Sequence, residues 1–390
     1  MHEAPGGRCG PSSLFGAAER EQVVASAGLR KSLGVLGLVA WGFLPWSCLA
    51  SPATLPKALL LQHAALALDV LPAHYAAELH AHRDGGNFHA WQRFVTVSGL
   101  AGYEAESGDR RFHTLARDLL ADRRGLDGND DDLWVAEAAL DWAERETDTT
   151  RRRENTDDAA RIFARIAARD WDGVCGGGVW WDRAHTYKNA ITNELFMDVA
   201  ARLYGVTGAA PYRDWAEQSW RWFDGSGMIA ESRAVNDGLD AHCRNNDGAP
   251  YSYNQGVILD ALRHMSHLTG DARLLDRAAR IARQAIAAGA TPDGGFAEAR
   301  EPMSVDSRIF RGIFVRALGR LVQVLPVGEP RHALGAWLID ESARVWASRS
   351  RDMRFDGDWK AAPFEPSAQA QLTAADLFVA AAHASGDVVQ

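Results

Sequence analysis

No surplus of positive charge runs through this 390-residue chain: 42 Lys and Arg stand against 51 Asp and Glu, a formal charge of -9. Phosphate binding leaves a basic footprint, so no nucleic-acid groove is expected, and a neutral or small substrate fits better. No group of Cys and His has the spacing of a zinc site. No metal or organic cofactor is indicated. Past residue 54 the apolar residues almost never alternate as they do along a half-buried strand. No linker divides this stretch, and the basic run Arg151-Arg152-Arg153 reads as a solvated turn between two helices. The apolar run Leu33 to Leu44 is too short to span a bilayer, so no stable membrane span is expected in the mature protein.

That run reads instead as a leader. Leu29-Arg30-Lys31 precede it, and Cys48-Leu49-Ala50 offer small residues where signal peptidase cuts, after Ala50 or else Ala53. Residues before Leu29 are polar and Gly-rich, so the true start is expected downstream of Met1. Pro45-Trp46-Ser47 make a poor lipobox before Cys48. The expected organisation is a leader over 1–50 and one domain over 54–390, secreted or periplasmic. Of four cysteines, Cys9 and Cys48 leave with the leader. Cys175 and Cys243 remain, either as a disulfide in an oxidising compartment or as two buried thiols.

Helical spacing is what the chain has in plenty. Leu133, Ala136 and Leu140 share a face, as do Ile258, Leu262 and Met265, and Leu274, Ala278 and Ile281. The same punctuation returns between helices at Ser107-Gly108-Asp109, Thr207-Gly208, Thr269-Gly270-Asp271 and Ser385-Gly386-Asp387, where Gly ends one helix and Asp can cap the next. Repeated helix hairpins stack into a solenoid or close into a toroid. Closure needs long loops at one end, and Gly173 to Lys188 and Asn236 to Asn254 supply such loops. Fourteen tryptophans against seven tyrosines offer flat faces for sugar rings, although a single Trp is more often core.

Three consecutive carboxylates, Asp130-Asp131-Asp132, open the helix that continues Leu133-Trp134. As structure, they are a cap and first-turn acids. As chemistry, neighbouring carboxylates repel, so one keeps its proton while the other stays ionised, which is the division of labour glycosidic cleavage requires. Further along, Cys175-Gly176-Gly177-Gly178-Val179-Trp180-Trp181 lets backbone approach a ligand, and no helix follows it as a phosphate loop would need. Asn189, Asn193 and Tyr251-Ser252-Tyr253-Asn254-Gln255-Gly256 add amides and hydroxyls. Singly, each Asn is a cap or turn residue.

Taken in order, these motifs resemble glycoside hydrolase family 76, the α-1,6-mannanases and their fungal cell-wall relatives. The resemblance rests on Asp130-Asp131-Asp132-Leu133-Trp134, the triple-Gly segment, Tyr187-Lys188-Asn189 with Asn193, Tyr253 to Gly256, and Asp306-Ser307-Arg308-Ile309-Phe310-Arg311-Gly312. It runs from about Leu59 to the C-terminus. Arg311 stands where the family usually has Lys, and the stretch from Asn87 to Trp91 matches loosely. The resemblance implies an all-α (α/α)6 barrel, retaining chemistry and an α-1,6-mannan substrate. It implies Asp130 as nucleophile, Asp131 as acid/base, Asp132 as a first-turn acid, and a Cys175 to Cys243 bridge. Trp134, Trp180, Lys188, Asn189, Asn193, Tyr253 and Asn254 are expected to touch sugar, and Asp306 to orient a sugar or the acid pair. The alternatives are a transglycosidase, in which a sugar hydroxyl resolves the intermediate, and a non-catalytic glycan-binding toroid.

Overall fold

The computed structural model describes residues 55–80, 88–126, 128–230, 232, 234–300, 302–360 and 365–385. The leader, with Cys9 and Cys48, and also Asn87 and Gly386-Asp387, lie outside them. Among the described residues twelve helices of two or more turns follow one another: α1 (Lys57–His74), α2 (Gln92–Ser107), α3 (His113–Ala121), α4 (Asn129–Arg145), α5 (Thr149–Arg169), α6 (Ala190–Thr207), α7 (Ala210–Gly225), α8 (Ser252–Thr269), α9 (Arg273–Gly289), α10 (Phe310–Val324), α11 (Glu329–Ser348) and α12 (Ala368–Ala384).

Composition decides which helices go inside. α12 carries small and apolar residues all round, and Ala368 to Ala382 are buried without a break. α9 is amphipathic: Leu274, Ala278, Ile281, Ala282 and Ala285 are buried, and its Arg and Gln face out. A helix apolar all round needs neighbours on every side, whereas a striped one can cover a surface. The even-numbered helices accordingly form a ring in chain order, α12 closes it against α2, and each odd-numbered helix packs on the outside. The protein is an (α/α)6 barrel, so the toroid holds and the solenoid does not.

Where ring helices touch, small residues permit the approach. A Cβ on Gly256 would stand 2.7 Å from the Phe314 Cα of α10, which explains the glycine after Tyr253-Asn254-Gln255. Gly108, Gly208 and Gly270 end α2, α6 and α8 in the left-handed conformation (φ 72°, 67° and 74°), as the punctuation implied. Asp271 accepts the N–H of Arg273, the first residue of α9, at 3.0 Å, whereas Asp109 accepts that of Arg111, two residues ahead of α3, at 3.0 Å. The Arg151-Arg152-Arg153 turn is corrected. These residues lie within α5, whose N-cap, Asp148, accepts from the Thr150 and Arg151 N–H groups and starts the helix ahead of them.

Connections from ring to outer helix are short (108–112, 146–148, 208–209, 270–272, 325–328), and those from outer helix to ring are long (75–91, 122–128, 170–189, 226–251, 290–309, 349–367). The long loops gather at the end where the ring helices begin. Further along the ring helices polar pairs are buried between them: Arg202 with Asp141 at 2.8 Å, Arg316 with Asp376 at 3.1 Å, and His264 Nδ1 2.6 Å from Asp198 Oδ1. Among the described residues no helix is long and apolar enough to cross a membrane.

Candidate active site

Asn129 fixes the start of α4. Its backbone N–H donates to the Trp181 carbonyl and its Nδ2 to the Trp180 carbonyl, each at 2.9 Å. Gly128 enters the turn at φ 155°, and a Cβ there would stand 2.8 Å from Asp130 Oδ1. The three aspartates then occupy the first helical turn. Asp132 turns outward and is engaged by Arg165 at 2.6 Å and Arg183 at 3.1 Å, the first-turn acid expected. Asp130 and Asp131 face a cleft of 480 Å³.

Opposed effects act on Asp130. Burial, and after it the charge of Asp131, push its carboxyl well above the ordinary range. The Trp181 indole N–H and the backbone N–H groups of Asp130 and Asp131 pull it back without prevailing. Repulsion between the two carboxyls favours a state in which one of them keeps its proton, and three N–H groups fix the orientation of Asp130.

Aromatic rings wall the cleft in stacked pairs. Trp91 lies on Trp134 with centroids 5.7 Å apart, and Tyr253 on Phe310 at 3.8 Å and 6°. Trp181 stands 40% exposed at the mouth, a ready platform for a pyranose face. Asp306 Oδ1 accepts from Trp91 Nε1 at 2.9 Å and lies 2.7 Å from His89 Nδ1. Asp237 Oδ2 accepts from the Tyr187 hydroxyl at 2.7 Å, which itself accepts from Asn246 Nδ2 at 2.8 Å. Burial and Asp237, Asp130, Glu194 and Asp306 all raise the Tyr253 hydroxyl well above its usual range. Among the described lining residues are four carboxylates and no Lys or Arg. Such a cleft stabilises positive charge developing on a ligand.

The cleft thus brings together Asp130, Asp131, Trp134, Asn189, Tyr253 and Asp306 from the expected set. Asn189 is at the same time the N-cap of α6. Four others stand apart from it. Asn193 spends its amide on both backbone groups of Val179, at 2.7 and 3.0 Å, and on the Asn189 carbonyl. Lys188 donates from within the 170–189 loop to Asp172, Val174 and Gly177, at 2.7 to 2.8 Å. Trp180 donates to Asp172 and stacks on His185, and Asn254 is fully buried. Burial lowers the Lys188 ammonium from its usual value, with Asp172 acting against it. Lys188→Met should therefore lower unfolding stability by about 3 kcal/mol, three acceptors losing a charged donor. Urea melts of the variant check this, and KM of the folded fraction should stay near wild type.

Residues the sequence reasoning did not single out complete the cleft. Trp181, Tyr187 and Phe310 lie inside its motifs, His89 and Trp91 lie in the stretch that matches the family loosely, and Asp237 lies in the 236–254 loop outside any motif. Cys175 and Cys243 are joined as a disulfide, which ties the 170–189 and 226–251 loops. Backbone bonds from Ala190 N to Asp237 O at 2.8 Å and Leu239 N to Lys188 O at 3.0 Å reinforce the tie. Among the described residues no group of acids, His and Cys could hold a metal ion.

A family model described as Glycosyl hydrolase family 76 matches residues 117–388. The mannan endo-1,6-alpha-mannosidase DCW1 of Saccharomyces cerevisiae is 30% identical over 247 residues, 59% of this chain and 54% of that protein. DCW1 of Candida albicans is 29% identical over 55% of this chain and 51% of its own. The chain thus spans about half the length of the curated relatives it matches. Among solved structures, an inactive variant of the α-1,6-mannanase of Salegentibacter sp. HEL1_6 with two consecutive aspartates replaced, in complex with α-1,6-mannotetrose, superposes with TM-score 0.72. It is 21% identical, with 84% of this chain and 99% of that chain covered. Dfg5 of Chaetomium thermophilum in complex with glucosamine gives TM-score 0.68 at 22% identity, covering 86% of this chain and 91% of that one.

Proposed function

The chain belongs to glycosyl hydrolase family 76, and from that footing we propose that it is an exported, retaining, endo-acting hydrolase of α-1,6-linked mannan. The observation that carries this reading is the Asp130-Asp131 pair on the first turn of α4, facing the aromatic-walled cleft, where burial and the neighbouring Asp131 raise the Asp130 carboxyl. Asp130 attacks the anomeric carbon. Asp131 gives the pair's proton to the linkage oxygen as the bond breaks, so the departing mannose leaves neutral and a covalent mannosyl-Asp130 remains. Asp131, now ionised, takes a proton from water as its oxygen attacks the same carbon, which frees Asp130. Asp237 and Asp306, both on the cleft wall, face the positive charge that builds on the ring between these states. Trp181 and the Trp91–Trp134 and Tyr253–Phe310 pairs bear on the sugar faces. The disulfide supports an oxidising compartment.

Digestion of linear α-1,6-mannan with product lengths followed over time tests this. A broad early ladder of short oligosaccharides is expected. Release of single mannose units alone removes endo action, products longer than an oligosaccharide substrate assign the intermediate to a sugar acceptor, and no change in the polymer refutes the assignment.

A further inference from the structure

Two of the long loops are tied to each other across the start of α12. His89 and Trp91 end the loop 75–91, ahead of α2, and Asp306 belongs to the loop 290–309, ahead of α10. Trp91 Nε1 donates to Asp306 Oδ1 at 2.9 Å, and His89 Nδ1 lies 2.7 Å from the same oxygen. Underneath, the fully buried Gln92 accepts the His89 backbone N–H at 3.0 Å and donates to the Val305 carbonyl at 2.9 Å. Gln369, on the first turn of α12, donates to Gln92 Oε1 at 3.0 Å. His89 is thus held at its backbone and at one ring nitrogen before any ligand arrives, and a group fixed beforehand costs a ligand little to engage.

The contact with Asp306 fixes which nitrogen carries the hydrogen. An indole N–H only donates, so Asp306 Oδ1 serves as an acceptor, and a carboxylate oxygen takes only a donor from His89. Nδ1 therefore bears the hydrogen, and in the neutral ring Nε2 keeps its lone pair. Nε2 has no hydrogen-bond partner among the described residues, and the side chain, 22% exposed, lines the cleft. A bare lone pair takes a hydrogen, and the hydrogens that a glycan brings are those of its hydroxyls. Trp91 hangs from the same carboxylate oxygen and stacks on Trp134. Indole and imidazole therefore stand side by side, within the width of one sugar unit.

We propose that His89 is a specificity-determining residue: its Nε2 accepts one hydroxyl hydrogen of the sugar unit lying against Trp91, and so selects units on which that hydroxyl carries no branch. That the unit is an α-1,6-linked mannose rests on the function proposed above. His89 lies in the stretch that matches the family loosely, and the resemblance implies no role for it.

Two conservative variants separate a contact with sugar from a hold on Asp306. His89→Asn keeps an N–H near the place of Nδ1 and removes Nε2. His89→Gln puts an acceptor near the place of Nε2 and gives up the bond to Asp306. In titrations with α-1,6-mannotriose, the Asp130→Asn protein should bind about fivefold more weakly once His89→Asn is added, the loss of one hydrogen bond. His89→Gln should restore part of that loss. With Asp130 intact, His89→Asn should raise KM by a similar factor and leave kcat near wild type. Among mannotrioses that each lack one hydroxyl, one should bind equally with and without His89→Asn, which a merely structural His89 would not produce. No weakening with His89→Asn, or the same weakening for every deoxy sugar, overturns the proposal, as does a larger loss with His89→Gln than with His89→Asn. Any of these results in a protein that still cleaves mannan removes the role of His89 alone. If the wild type neither cleaves mannan nor binds mannotriose, the function proposed above fails and the role of His89 with it.

Discussion

Asp130→Asn is expected to lower kcat on α-1,6-mannan by about 10⁴-fold or more, because an amide cannot form the covalent intermediate. Its melting temperature should hold or rise. The amide oxygen can still accept from Trp181 and the backbone N–H groups that engage the carboxylate. The substitution also ends the mutual repulsion of neighbouring carboxyls that, after burial, raises the Asp130 carboxyl. Calorimetry beside a reducing-end assay checks both parts. Full activity in the variant would dismiss Asp130 from the mechanism, and a collapsed melting temperature would mean that the carboxylate holds the helix start together.

Asp131→Asn should behave differently, and the difference separates the two roles. On mannan, loss of the proton donor should cost about 10² to 10⁴ in kcat/KM. On a dinitrophenyl α-mannoside, whose leaving group needs no proton, formation of the intermediate should stay near wild type. Azide, which needs no base, should then speed turnover and appear in the product as α-mannosyl azide. The pH profile carries a second signature. Asp131's charge is one of the two causes that raise the Asp130 carboxyl. Without it Asp130 ionises at lower pH, so the acid limb on the activated substrate should move down. An equal loss on both substrates would make Asp131 a binding residue.

How much of this was legible in the sequence varies with the kind of residue. The ring helices could be read because an element such as α12 is dominated by small and apolar residues and its partner α11 is not. Closure could not, since the periodicity of a hairpin is the same in a solenoid and a toroid; only α12 packing on α2 distinguishes them. The end with the long loops was readable from loop length, and the family resemblance, through the register of Trp134, implied Asp130 and Asp131 rather than Asp132. Asp132 is held by Arg165 and Arg183, while Asp130 and Asp131 line the cleft.

The cleft wall was harder. Asp237 sits in Asn236-Asp237-Gly238, which reads as any turn, and only the folded 226–251 loop sets it beside Tyr187. His89 and Trp91 lie more than two hundred residues from Asp306 in the chain, a distance no local pattern spans. The reverse also occurs. Asn193 and Lys188 have the residue types of a sugar site, but the turns of the triple-Gly segment leave carbonyls that need donors, and these side chains supply them.

Proton NMR of the first turnover most directly tests whether two adjacent carboxyls divide attack and proton transfer. With a reduced α-1,6-mannan oligosaccharide as substrate, the newly freed reducing end should appear first as the α-anomer and drift to the equilibrium mixture by mutarotation. A β-anomer appearing first would mean that water strikes the anomeric carbon directly, and a nucleophilic Asp130 could not stand.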